Sequence, residues 1–307
     1  MGRIGVGAAG GERVATADRR ILVLLLASVL VCLGCVPQAP DTDDDDAQDD
    51  DASDDDASDD DASDDDGGDD DTGDDDASDD DGGDDDTGGP VDPPLYGSSG
   101  GSGGGACPQG CVETAGNVTY RIIVPSGVST PAPLLVVYSG TEGGATMTSN
   151  MLQVAAHCGI GNAVVAVLDG VDYYGNGGAG ATVLDDVRAR YDIDNDRTYL
   201  LSESAGTSAG LELGFHLRQS YFAAFWANDV NASDVPGQTA AQLGFAPWGN
   251  AGPGGDFPDA NAIVNGMDGA GYRLPGDAPY SGPGASQHGS TEQFLAAVGF
   301  FAGKSRL

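Results

Sequence analysis

The sequence predicts an α/β domain over residues 106–307, built as a mostly parallel sheet with helices on both faces and preceded by a disordered tether. Three observations predict it. Apolar runs such as residues 134–138 and 163–168 are continuous rather than alternating, as in strands covered on both faces. These runs alternate with stretches of helical spacing long enough to cross back over a sheet. The charge is regional: the chain holds 50 acidic and 12 basic residues, but 29 aspartates fall within residues 41–86, leaving 18 acidic and 8 basic residues in 106–307.

In chain order, residues 119–125 read as a strand stopped by Pro125, and 134–138 as a buried strand followed by the loop Ser139-Gly140-Thr141-Glu142. Residues 151–158 have helical spacing, with Met151, Leu152, Ala155 and Ala156 apolar. Residues 163–168 form a second buried strand, ended by Asp169-Gly170. Beyond a Gly-rich loop around Tyr173 and Tyr174, Val183, Leu184, Val187 and Tyr191 mark one face of a helix. Residues 197–201 read as a strand and 205–217 as a helix. Residues 222–227, 244–248 and 272–274 are further strand candidates, and 294–301 a terminal helix.

Residues 1–35 read as a secretory signal. Arg13, Arg19 and Arg20 flank a twelve-residue apolar run, residues 21–32, within the ~7–15 residues of a signal core and short of the ~20 that span a bilayer. The run ends in Cys32-Leu33-Gly34-Cys35, which resembles a bacterial lipobox and marks Cys35 for lipidation. More than one acyl chain there gives stable anchoring. The expected location is the cell envelope, lipid-anchored at the outer membrane or cell surface, or secreted if the signal is simply cleaved. Residues 36–105 read as the tether. From Asp49 the pattern is three aspartates and two small residues, period five, with no side chain larger than Thr. Such a segment cannot bury enough surface to offset the entropy of ordering. It lacks the EF-hand and nonapeptide calcium patterns. Weak, non-stoichiometric Ca²⁺ association suits it, and a folded metal site is not expected. A chain of residues 41–105 has an r.m.s. span of about 45 Å before charge repulsion extends it.

Chemistry concentrates at Ser202-Glu203-Ser204-Ala205-Gly206, between the strand at 197–201 and the helix at 205–217. A strand, a sharp turn and a helix with Ser at the apex and small residues two before and two after form a nucleophile elbow. Ser204 stands at a helix N-terminus, where free N–H groups favour developing negative charge. Of the three histidines, His157 and His216 lie within helices and read as structural or solvated. His288 lies in a Gly-rich loop directly before the last helix, placed to swing over the serine.

Residues 112–302 resemble the α/β-hydrolases of the secreted esterase kind, similar to polyhydroxybutyrate depolymerases and feruloyl or acetylxylan esterases. The resemblance rests on the opening strand Tyr120-Arg121-Ile122-Ile123-Val124-Pro125, the stretch from Pro133 to Gly140, the run from Tyr191 to Tyr199, and His288-Gly289 before a helix ending in Phe300-Phe301. It departs at Ser202, where the family has Gly, and at Ser139, where it has His. The family's acid follows the seventh strand. That implies Asp256, with Asp259 the runner-up and Asp277 a third choice. The implied mechanism is acyl transfer by Ser204, His288 and Asp256, with an oxyanion hole from the backbone N–H groups of Ala205 and Thr141.

No cofactor is expected, since metal-ligand spacings, a P-loop and a dinucleotide fingerprint are absent. Nucleic acid is excluded as a partner by the lack of clustered Lys and Arg. The partner expected is a small or polymeric ester, with membrane contact through the anchor alone. Two alternatives stand beside the esterase: a catalytically inactive binding or adhesion lipoprotein on the same fold, and a calcium-associated surface protein acting through the Asp repeat. Cys107, Cys111 and Cys158 allow a Cys107–Cys111 bridge, or a bridge from Cys158 to either.

Overall fold

The computed structural model describes residues 92–307. The signal, Cys35 and the Asp repeat therefore lie outside the described residues. The seven strands are β1 (Cys107–Ala115), β2 (Val118–Val124), β3 (Ala132–Tyr138), β4 (Val164–Leu168), β5 (Ile193–Glu203), β6 (Ala224–Asn228) and β7 (Trp248–Ala251). They form one sheet in the order β1-β2-β4-β3-β5-β6-β7. β1, β2 and β4 pair antiparallel and all later pairs are parallel. Among the described residues six α-helices complete it: α1 (Gly143–Val154), α2 (Gly177–Arg190), α3 (Thr207–Glu212), α4 (Ala240–Leu243), α5 (Phe257–Gly269) and α6 (Thr291–Phe300). This is the α/β-hydrolase fold.

The continuous apolar runs are buried on both faces for a visible reason. Leu134, Val136 and Tyr138 of β3 point into one core with Val183, Leu184 and Val187 of α2 and Ile263 and Met267 of α5. Leu135 and Val137 point into the other, with Met147 and Met151 of α1 and Ala297 and Val298 of α6. A side-chain period of two thus splits one strand between two helical layers.

The structure departs from the sequence reading at several elements. β1 went unread because it is an edge strand whose side chains are mostly half-buried or exposed, so it carries no apolar run. It is bridged internally by Cys107–Cys111, while Cys158 is buried with its Sγ 3.7 Å from Leu295 O. α1 begins at Gly143, eight residues before the expected start, because its first turns are Gly, Ala and Thr rather than apolar. α5 was unread, and β7 starts at Trp248 rather than 244. The strand expected at 272–274 is a single parallel bridge, Trp248 to Arg273.

The tether was expected to run to residue 105, but residues 92–104 pack on the domain. Ser98 bridges Asp194, Ser99 N donates to Ile193 O at 2.8 Å and Gly104 N to Arg190 O at 2.9 Å. The first residues of β5 need partners for their polar backbone, and this segment supplies them. Arg306 ties it down. The residue is 3% exposed, and its guanidinium meets Asp196 at 3.0 Å and donates to the carbonyls of Pro93, Pro94 and Ser220.

Removing one partner of a buried ion pair strands the other charge. Arg306→Ala is therefore expected to lower unfolding free energy by about 3–5 kcal/mol, read by urea denaturation. Cleavage by a nonspecific protease within residues 92–104 should accelerate in the same variant.

Candidate active site

β5 delivers Ser204. The strand ends at Glu203, and Ser204 takes φ 48°, the left-handed region that a residue with a side chain rarely adopts. A tight turn, Ser204–Gly206, then feeds α3. The turn is crowded. The room that a glycine at 202 would make is made one turn into the helix by Gly210, where a Cβ would stand 2.4 Å from Ser202 Cβ. Ser202 itself is fully buried and its hydroxyl has no hydrogen-bond partner. The small residues around the serine are thus a packing requirement of the turn.

The loop before α6 delivers His288. Its Nε2 lies 2.9 Å from Ser204 Oγ, within hydrogen-bond reach. The sequence-predicted pair is brought together across 84 residues of chain. His157 and His216 lie elsewhere, and His216 pairs with Asp234 at 2.8 Å on the surface.

The carboxylate at the histidine loop is Asp229, not Asp256. Asp256 caps α5, its Oδ1 accepting from Asp259 N at 3.3 Å, and Asp259 accepts from Ser233 Oγ at 2.7 Å. Asp277 is exposed. Asp229 is 1% exposed and follows β6. Its Oδ2 accepts a short hydrogen bond from the backbone N–H of Gly289, next to His288, and its Oδ1 accepts from Gln293 Nε2 at 2.6 Å. Asp229 also takes a left-handed φ, 47°. The expectation of Asp256 came from an acid after the seventh strand. Here the carboxylate at the histidine loop follows the sixth, beside the elbow strand, and it lies between Ser204 and His288 in chain order. The signal available in the sequence was an aspartate directly after the apolar run 222–227.

Glu203 is the second functional candidate that sequence reasoning passed over. It is 7% exposed, and its Oε2 accepts from Asn228 Nδ2 at 2.8 Å. Burial pushes its carboxyl well above the ordinary range, and the hydrogen-bonded Asp229 raises it further, against the Asn228 contact.

Of the expected oxyanion donors, Ala205 is buried in the first turn after β5, where a helix leaves N–H groups without intrahelical partners. Thr141 is exposed in the β3–α1 loop. That loop reaches the serine through Gly140, where a Cβ would stand 3.1 Å from Ser204 Cβ, and Glu142 folds back to accept from Gly140 N at 3.0 Å. A cleft of about 350 Å³ opens here, lined by Glu142, Met147, Val154, Glu203, Gly289 and Phe294 among others. A larger one of about 610 Å³ lies at the opposite edge of the sheet, between the 98–104 segment and the N-terminal ends of β3 and β4, far from these side chains. Among the described residues no group of three or more His, Cys, Asp and Glu is placed to hold a metal ion.

No family model and no curated protein sequence matches the chain. Solved structures do. The poly(3-hydroxybutyrate) depolymerase from Bordetella parapertussis is 18% identical, over 52% of this chain and 78% of that one, with a TM-score of 0.40. A dienelactone hydrolase-like promiscuous phosphotriesterase from metagenomic libraries is 14% identical over 64% and 97%, with a TM-score of 0.44. A fluorophosphonate-binding serine hydrolase of Staphylococcus aureus is 11% identical over 64% and 98%, with a TM-score of 0.45.

A carboxyl raised by folding makes stability pH-dependent. The folded state holds the Glu203 proton above the unfolded value near 4.5, so this group's contribution is present below that pH and is lost as pH rises toward the folded value. Glu203→Gln keeps a neutral side chain at every pH. Its melting temperature relative to wild type is expected to climb as pH is raised from 4.5 toward neutrality, and differential scanning fluorimetry across that range reads it.

Proposed function

We propose that the protein is a serine hydrolase acting on carboxylic esters through an acyl-enzyme. One observation carries this reading: Ser204 Oγ stands 2.9 Å from His288 Nε2, on a left-handed turn at a helix N-terminus. A serine hydroxyl is a weak nucleophile until a base is positioned to take its proton.

His288 Nε2 accepts the Ser204 proton as Oγ bonds to the substrate carbonyl carbon. The oxyanion is held by the N–H of Ala205 and, from the β3–α1 loop, by that of Thr141. The imidazolium returns its proton to the leaving alcohol as the carbon–oxygen bond breaks. Water then repeats the sequence on the acyl-Ser204, giving the acid and free serine. Asp229 holds the histidine loop through Gly289 and supplies the negative charge that stabilises the imidazolium.

The cleft adds a constraint on substrate. Its wall combines Met147, Val154 and Phe294 with Glu142 and Glu203, and no Lys or Arg lines it. Acyl groups without negative charge fit it, since a carboxylate placed there faces Glu142 and finds no cation as a partner.

For location we infer from the sequence alone a lipid anchor at Cys35 and a charged spacer that holds the domain off the membrane. Metabolic labelling with an alkyne fatty acid is expected to mark the full chain and to be lost in Cys35→Ser. Labelling that survives the substitution contradicts the anchor.

The same reading fixes a kinetic order. Wild type is expected to hydrolyse p-nitrophenyl butyrate and to act poorly on a monosuccinate ester of the same phenol. Ser204→Ala should lower kcat by roughly 10⁴-fold or more, and Asp229→Asn by about 10²–10⁴-fold, as expected for members of a triad. Asp256→Asn should stay within about threefold of wild type, since Asp256 caps a helix and asparagine caps it equally well.

A further inference from the structure

Glu203 and Asp229 are two buried carboxyl groups at neighbouring strand ends, 7% and 1% exposed, with Asp229 directly after the residue that pairs with Glu203. β5 and β6 are in register Glu203 to Asn228, so the pair sits where the two strands leave the sheet, between the serine and the histidine loop. Two carboxylates cannot share such a site fully ionised, and one proton must lie between them. The donors around each decide where. Asp229 accepts N–H groups on both oxygens, from Gly289 and from Gln293. Glu203 receives a single N–H, from Asn228 Nδ2. The orientation of that amide is set by Trp226, whose indole Nε1–H can only donate and does so to Asn228 Oδ1 at 3.0 Å. Negative charge is therefore better accommodated on Asp229, and the remaining Glu203 oxygen is left to carry the proton.

We propose that Glu203 is a positioning residue for the acyl-transfer reaction: it keeps its proton in the working enzyme and donates it to Asp229, so that the pair carries one negative charge beside the His288 loop. This rests on the serine hydrolase reading of the site. The charged groups that act most strongly on Glu203 are Asp229 at the end of β6 and Glu142 from the β3–α1 loop, both acidic. Burial and both neighbours thus act in the same direction. The consequence is chemical. A single charge stabilises the imidazolium that forms on His288, whereas a second would hold the proton there and slow its transfer to the leaving alcohol. The hydrogen bond from Glu203 also fixes the carboxylate of Asp229 against rotation, together with Gly289 and Gln293.

The test pairs infrared spectroscopy with kinetics on the purified protein. Wild type at pH 7 is expected to show the carbonyl stretch of a buried protonated carboxyl, and Glu203→Gln to lack it. Glu203→Ala, which removes the donor, should lower kcat on p-nitrophenyl butyrate by about tenfold or more, and Glu203→Gln should recover most of that loss. The acid limb of kcat/KM in Glu203→Gln should coincide with that of wild type, because no charge has been removed.

Absence of the band in wild type overturns the proposal, as does its persistence in Glu203→Gln. A fall of the acid limb by about one unit in Glu203→Gln shows that an ionised neighbour was lost and overturns it too, as does a Glu203→Ala enzyme as fast as Glu203→Gln. If wild type turns over no ester, the hydrolase reading fails by itself, while the infrared band still decides where the proton resides.

Discussion

Two neighbouring parallel strands end in the same uncommon way. β5 leaves the sheet through Ser204 at φ 48° and β6 through Asp229 at φ 47°, and their last residues, Glu203 and Asn228, are paired in register. A left-handed residue turns the chain sharply and lifts its side chain off the sheet edge. Each such residue with a side chain costs on the order of 1–3 kcal/mol, so it persists only where the surroundings over-determine it. Here the surroundings are the two cores that bury both faces of the central strands. The rigid sheet fixes the spacing of the two turns, and that spacing sets where Ser204 stands relative to Asp229. The histidine needs only a loop, because its position is set from outside by Ser204 on one side and by Gly289 held on Asp229 on the other.

The polar groups at this edge form a connected set. Trp226 orients Asn228, Asn228 donates to Glu203, and Asp229 follows Asn228 in the chain. Asp229 in turn binds Gly289 and Gln293 at the start of α6. A partly satisfied network of buried charge would be worse than an apolar core, and a fully satisfied one makes the arrangement unique. The terminal helix is thereby fastened to the sheet edge through the same carboxylate that holds the histidine loop at Gly289. Stability of α6 and the geometry of the site are therefore linked. The opposite edge is held independently, by Arg306 on Asp196 and on the 92–104 segment.

Much of this was legible in the sequence. The runs at 134–138 and 163–168 are strands because nothing polar interrupts them and both faces are covered. The elbow was legible because small residues must flank its serine, and His288 stood out as the loop histidine after the last strand. The carboxylate at the histidine loop was not, because an aspartate at a strand end resembles any turn residue and the expected position, after the seventh strand, also holds one in Asp256. Its register beside Glu203 exists only in the folded sheet. Glu203 was hidden for a related reason. It occupies the variable position of the elbow motif, where sequence carries no expectation, and its importance comes from Asp229 and Asn228, distant by 25 residues and more. β1 and α5 escaped because an edge strand and a Gly- and Asn-containing helix show no clear apolar period, and residues 92–104 because their order depends on β5 and Arg306.

The central claim is that Ser204 is a nucleophile activated by its fold. A fluorophosphonate probe reacts with a serine whose hydroxyl is deprotonated by a positioned base, and peptide mass spectrometry locates the adduct. The account predicts a single stoichiometric adduct on Ser204 in the folded protein, lost on denaturation and in His288→Ala. An adduct on another serine, or none on Ser204 while the protein remains folded, would contradict it.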